Sequence, residues 1–426
     1  MSKCYAILAI FDDHMIQFEE FILSNGLEVI IHPDPSVSTV CVNTLYKVGS
    51  RNESPDKSGF AHLFEHLMFG GSKNVDSFDE QLQLVGGENN AFTSTDITNY
   101  YITVPSINLE TALWLESDRM MSLSFDPTVL EVQRSVVVEE FKQRYLNQPY
   151  GDVWLKLRPE AYKQHPYRWP TIGKEIRHIE QATMEDVRSF FNTYYHPSNA
   201  ILVLAGDISV DRGRKLVEKW FDDIPGRSMG HPTIPQEPPQ TSERIIEAEA
   251  AVPQDAFYKV YHMPARIEDR YYSADLLSDL MGRGKSSLLY DTMVKEKNLL
   301  SSVSAFVSGS VDPGLLVLNG RLNPGVTYVQ VEETLGALIS ALQQEKISGS
   351  ALNKVKNMAL SSIAFGEVDI LNRAMSLAFA KFMGNIDLVN EEIYKIQSVT
   401  EESILEESRN ILRKENCTTL YYKSKT

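Results

Sequence analysis

DVRSFFNTYYHPSNAILVLAGD, residues 186–207, is the stretch on which the fold turns. Asp186 to Phe191 has a helical pattern, Tyr194 to Asn199 is a turn, and Ala200 to Gly206 is an unbroken apolar run closed by Asp207. A run that short, bounded by turn residues, reads as a strand buried on both faces. The same order recurs at 403–424, SILEESRNILRKENCTTLYYKS: helix, a turn containing Asn, then a strand. Between the copies, Ile224 to Thr241 carries Pro225, Pro232, Pro235, Pro238 and Pro239 with Gly226 and Gly230, the composition of a linker. The expectation is an α+β chain of two homologous domains, each an antiparallel sheet flanked by helices. The boundaries read as 15–224 and 243–426, with the linker at 225–242.

The chain has 426 residues, 43% of them hydrophobic, enough for more than one core. It carries 57 acidic against 41 basic residues, a formal charge of -16. That balance argues against nucleic acid as a partner, because phosphate binding needs a basic surface. It favours cationic peptides if the charge lines a cavity, although acidity also simply serves solubility. Cys4, Cys41 and Cys417 are too few and too far apart for a disulfide framework or a Cys metal site, and they suit a reducing compartment. No stretch reaches the ~20 apolar residues of a membrane span. The apolar run Tyr5 to Phe11 runs straight into Asp12 and Asp13, a poor signal peptide. A cytoplasmic protein is expected, or a periplasmic one if a leader has been removed.

Residues 17–49 read as a β-hairpin or meander, with Asn25-Gly26 as a turn. A helix from about Gly59 to Phe69 is stopped by Gly70-Gly71. Thr- and Tyr-rich strands at 90–95 and 98–104 follow, then helices over Leu109–Leu123 and from Asp126-Pro127 to about Tyr145. The second half repeats strands and helices in similar order, with strands at Ile245–Val252, Ala256–His262, Ser301–Val307 and Leu315–Leu322.

The chemistry lies in the first half. His62, Glu65 and His66 sit at i, i+3 and i+4, so they share one helix face. Two imidazoles one turn apart can bind one metal, with a carboxylate placed to act on a bound water. This is H-x-x-E-H, the inverted form of the zincin pattern. A surface helix could carry it by chance, so a further ligand is needed. The apolar stretch Val136 to Val138 ends in Glu139-Glu140, and a carboxylate there is costly to bury unless it is paired or ligates a metal. The two lie about 100° apart around a helix, so only one of them is a ligand. After the linker the only His is His262, and the second half has no comparable cluster.

With these residues in place, the chain resembles the pitrilysin/insulinase/mitochondrial-processing-peptidase family of zinc peptidases, in its short bacterial form. The resemblance rests on His62-Leu-Phe-Glu65-His66-Leu-Met-Phe69, on Gly86-Gly87-Glu-Asn-Asn90-Ala91-Phe-Thr93, on Arg134-Ser-Val-Val-Val-Glu-Glu140 and on Gly206-Asp207. It implies that His62, His66 and Glu140 bind one zinc per chain and that Glu65 is the general base. It implies that Asn90 and Ala91 lie on an edge strand that pairs with the substrate backbone and that Phe69 also binds the substrate. The implied activity is metalloendopeptidase cleavage of peptides or unfolded polypeptides in a closed chamber, Glu65 activating a zinc-bound water.

Two positions depart from the family pattern. A second Glu often precedes the third ligand by two helical turns, and here that position is Gln133. The family's second repeat also supplies an Arg and a Tyr to the active site. The matching stretch here has Lys295 and Ser301 instead. Lys lacks the planar fork of Arg, and Ser is too short to replace a Tyr hydroxyl. Such a chain resembles the catalytic subunit of the family's heterodimers, half of a clamshell whose paralogue supplies the missing pair; a homodimer is the alternative. A non-catalytic structural or assembly subunit is the competing function, and those relatives usually have degraded zinc motifs.

Overall fold

The computed structural model describes residues 15–227 and 233–425. The Tyr5–Phe11 run, Cys4 and residues 228–232 of the linker lie outside them. The first sheet has six strands: β1 (Glu19–Ile22), β2 (Glu28–Pro33), β3 (Thr39–Tyr46), β4 (Glu88–Thr93), β5 (Thr98–Pro105) and β6 (Ala200–Gly206). Their order across the sheet is β1-β2-β6-β3-β5-β4. The Asn25-Gly26 turn joins β1 to β2 as an antiparallel hairpin, with Gly26 at φ 89°.

The meander expected over 17–49 stops there. β2 and β3 do not pair, because β6 lies between them, parallel to β2 and antiparallel to β3. The reason is burial. Every residue of β6 is buried, so the strand needs a hydrogen-bonding neighbour on both edges.

The second sheet comprises β7 (Arg244–Ala250), β8 (Ala256–His262), β9 (Leu300–Ser308), β10 (Leu315–Leu322) and β11 (Cys417–Ser424). Its order is β7-β11-β8-β10-β9, with β11 parallel to β7 and antiparallel to β8. Strand for strand this repeats β2-β6-β3-β5-β4 of the first sheet. The two helix–turn–strand stretches, 186–207 and 403–424, end in the two inserted strands. Each sheet is thus antiparallel except for one parallel pair.

Two compact units form around these sheets. One takes the chain through Val138, Thr171–Thr233 and Ala364–Glu392; the other takes Glu139–Pro170, Ile234–Ile363 and Ile393–Thr426. The first division falls inside the continuous helix Pro127–Phe141. In the first unit the helix Ile370–Phe382 lays Ala374, Leu377 and Ala378 on Ile30, Cys41, Ile201 and Val203 of the sheet. In the second, Val153–Ala161 lays Val153, Leu157 and Ala161 on Val260, Val317 and Leu420. Each fully buried aliphatic side chain contributes about 1.5–3 kcal/mol. Burial in the first core pushes the Cys41 thiol up to about 12, and burial likewise raises Cys417. Both are inert packing residues at neutral pH. Among the described residues no helix is long and apolar enough to cross a membrane.

Candidate metal centre

The motif helix spans Phe60–Leu67. Phe60, Ala61, Leu63, Phe64 and Leu67 are buried and anchor it. Glu65, His66 and Phe69 lie on the half-buried side. Its start is set by Gly59, whose φ of 89° and close approach to the Ile172 carbonyl exclude a side chain. No Ser, Thr or Asp stands at the cap. The buried carboxylate of Glu53 replaces one, its two oxygens accepting from Gly59 N and Ala61 N at 2.8 Å each. That satisfies two buried amide donors at the helix start that have no intrahelical partner, and it places negative charge at the positive end of the helix.

The loop after the helix is held by Asp118. It accepts from the Ser72 hydroxyl at 2.5 Å and from the Asn74 backbone amide at 2.9 Å.

The ring centroids of His62 and His66 lie 4.9 Å apart with planes at 71°. Glu140, one residue before the end of Pro127–Phe141, brings a carboxylate to them. One ligand atom from each of His62, His66 and Glu140 lies within 4.8 Å of the other two. Among the described residues no other His, Cys, Asp and Glu side chains form such a group. Glu139 points elsewhere: it is exposed and pairs with Lys142 at 2.6 Å. Glu140 also receives Arg144 Nη1 at 2.9 Å.

Zinc takes imidazole nitrogen and carboxylate oxygen at roughly 2.0–2.2 Å. Tetrahedral ligand atoms at that radius lie roughly 3.5 Å apart, so small side-chain rotations would close this set on one ion. The donor chemistry, two imidazoles and one carboxylate, is a three-ligand set of the kind catalytic zinc takes. Glu65, between the two His in sequence, accepts a hydrogen bond at Oε2 from the Thr93 hydroxyl at 2.6 Å.

Below this face lies a buried aromatic and charged layer that sequence reading missed. Arg119 is 1% exposed and pairs with fully buried Glu116, which also accepts from the Thr44 hydroxyl at 2.9 Å. The guanidinium lies over the rings of Tyr100 (4.5 Å), Phe78 (4.6 Å) and Phe69 (5.4 Å). Phe69 is therefore committed to this cluster through its ring. The hydroxyls of Tyr100 and Tyr195 are 3.3 Å apart. Burial raises both phenols, so they stay protonated. The one signal in sequence was Glu116-Ser-Asp-Arg119 interrupting the apolar periodicity of a helix.

The remaining candidate residues lie as follows. Asn90 and Ala91 are on β4, an edge strand paired only with β5. Asn90 is exposed and its side-chain oxygen accepts from Ala91 N at 2.8 Å, while Ala91 is half-buried. Gln133 is half-buried on the Glu140 helix. In the second unit, Lys295 is exposed and pairs with Asp291 at 2.6 Å. Ser301 donates to the Gln254 side chain at 3.0 Å. Neither Lys295 nor Ser301 offers the fork or phenol that would bind an oxyanion.

On this duplicated α+β scaffold a helix with the inverted His-x-x-Glu-His pattern of the inverzincins meets a carboxylate from a second helix. Residues 28–175 match the model of insulinase, peptidase family M16. Residues 181–359 match the model described as the peptidase M16 inactive domain. The chain is 33% identical over 355 residues to the zinc protease PqqE of Helicobacter pylori, covering 80% of this chain and 78% of that one. The solved structure of a protease from Helicobacter pylori superposes with a TM-score of 0.91 at 29% identity, over 96% of this chain and all of that one. The fold also matches the periplasmic protease PqqL of Escherichia coli, TM-score 0.80 at 19% identity, over 96% of this chain but 48% of that one. The chain belongs to the pitrilysin/insulinase family of peptidases, family M16.

Proposed function

We propose that this chain is the zinc-binding subunit of a metalloendopeptidase that cleaves peptides or unfolded polypeptides. One observation carries the reading: His62, His66 and Glu140 converge to within 4.8 Å beside the oriented carboxylate of Glu65. Zinc bound by those three would acidify a water and polarise the scissile carbonyl. Glu65 accepts the proton of the attacking water and returns it to the leaving amine. The open edge of β4 at Asn90 and Ala91 receives the substrate backbone as an added strand. The net charge of -16 favours basic substrates.

The description "inactive domain" falls on 181–359, the part of the chain after the metal ligands. That favours one catalytic centre per chain over a wholly non-catalytic subunit. The side chains at Lys295 and Ser301 are tied to Asp291 and Gln254, and neither reproduces the planar fork of an Arg or the reach of a Tyr hydroxyl. The active form proposed is therefore a two-chain clamshell, with a paralogue supplying an Arg/Tyr pair and a closed chamber around the substrate. A relative about twice this length, matched over 48% of its chain, fits such a pairing of halves. A reducing compartment suits the buried thiols of Cys41 and Cys417, and the cytoplasm is proposed; PqqL is described as periplasmic.

The test is purification of the chain alone and with its paralogue, followed by zinc analysis and digestion of an unfolded polypeptide. Wild type should bind about one zinc per chain. Glu65→Gln should keep the zinc and lose cleavage. A zinc-free wild type that cleaves nothing with either preparation would leave the assembly role as the better reading. Full activity of the isolated chain would replace the heterodimer with a homodimer or monomer.

A further inference from the structure

We propose that Thr93 is a positioning residue for Glu65, holding its carboxylate as a base and preventing it from becoming a metal ligand itself. The inference rests on the zinc-peptidase reading and concerns how that site keeps a ligand position open.

Glu65 is adjacent to His66 and shares a helix face with both imidazoles. Helix pitch turns Glu65 about 100° from His66 but only about 60° from His62, so pitch alone does not fix whether its carboxylate works through water or binds the ion. A contact from a second element can. Thr93 Oγ1 donates to Glu65 Oε2 at 2.6 Å, a short bond of the charge-assisted kind.

Thr93 suits that task for two reasons. Its β-branched side chain has few rotamers, so its hydroxyl direction is set by the backbone. The backbone there is anchored as well. Thr93 pairs with Thr98 of β5, whose hydroxyl donates to the Val48 carbonyl at 2.9 Å in a buried position. The turn between them is closed by Ser94 N to Ile97 O at 2.8 Å and Ile97 N to Ser94 Oγ at 3.0 Å.

β4 also alternates in burial. Asn89, Ala91 and Thr93 are half-buried, while Glu88, Asn90 and Phe92 are exposed. The strand whose open edge would take the substrate thus carries, two residues beyond Ala91, the hydroxyl that fixes the base. Substrate register and base position are set by one strand.

The test uses Thr93→Val, which keeps the shape and removes the donor, and Thr93→Ser, which keeps the donor. Each is loaded with cobalt in place of zinc, and each is assayed for cleavage in the active assembly. Thr93→Val should lower kcat by about 10–100-fold with KM changed less than about twofold. Its cobalt absorption bands should move as the carboxylate takes a ligand position. Thr93→Ser should restore both. A Thr93→Val protein with wild-type kcat and cobalt spectrum overturns the proposal. So does a loss of kcat with an unchanged spectrum, or one that Thr93→Ser fails to rescue. A wild type that binds no metal overturns this inference together with the peptidase reading. A metal-binding, cleaving wild type with an indifferent Thr93→Val overturns this inference alone.

Discussion

The α-carbon of Gly70 lies against Val129 so closely that a β-carbon at 70 would come to 2.3 Å from Val129 Cγ1. Gly70 follows the motif helix, and Val129 is in the first turn of Pro127–Phe141, the helix that carries Glu140. The missing side chain lets the two ligand-bearing helices approach. Gly70→Ala should cost about 1–3 kcal/mol by overpacking and weaken zinc binding by moving Glu140 from the imidazoles. Val129→Ala in the same chain should recover much of both losses. Urea unfolding and zinc titration check this; wild-type values for Gly70→Ala would show that the contact does not set the helix spacing.

The Arg119–Glu116 pair is a second point of leverage. Glu116→Leu leaves a guanidinium buried without its carboxylate, which should cost about 3–5 kcal/mol. Adding Arg119→Met removes the stranded charge and should return most of that loss. A double-mutant cycle by chemical denaturation reads the coupling. Additive losses would mean that the two charges are stabilised independently.

On the proposed zinc reading, metal removal should lower the melting temperature, because an ion held by His62, His66 and Glu140 would bind the folded chain and not the unfolded one. At a thousandfold excess over Kd the linkage is about 4.1 kcal/mol. Calorimetry with zinc and with a chelator should show the gap in wild type and in Glu65→Gln. His62→Ala and Glu140→Ala should close it. An equal gap in all four would place the ion elsewhere.

Acid sensitivity should come in part from Asp34. Burial pushes its carboxyl up, but the Ser36 hydroxyl and amide and the Arg373 guanidinium outweigh that and hold it at about 2. An unfolded Asp titrates at about 3.9. The folded state therefore binds fewer protons, and this contribution is complete above about pH 4 and is lost as pH falls toward about 2. Asp34→Asn should lower the melting temperature at pH 6 and flatten its fall between pH 4 and pH 2. A parallel pair of curves would remove Asp34 from the acid response.

Much of the fold was legible because the cues were local. The helix over 60–67 was marked by Leu63 and Leu67 on one side and Gly70-Gly71 at its end. The strand 200–206 was marked by seven apolar or small residues in succession. Its partners were not legible, because strand order depends on which long-range pairing buries β6 best. The same holds for Ile370–Phe382, which lies far beyond the linker in sequence and still packs on the first sheet.

By itself the sequence determined the duplication and the placing of His62, Glu65 and His66 on one helix face, because helical pitch fixes what lies three and four residues apart. Pitch could not choose between Glu139 and Glu140. The tertiary structure does: Glu139 pairs with Lys142 in solvent, and Glu140 lies with the two imidazoles. Nor could local spacing show that Glu53 caps the motif helix or that Thr93 holds Glu65. Those contacts join residues 6 to 28 positions apart, and only tertiary packing, of a loop on the helix for Glu53 and of a strand on the helix for Thr93, brings them within hydrogen-bonding reach.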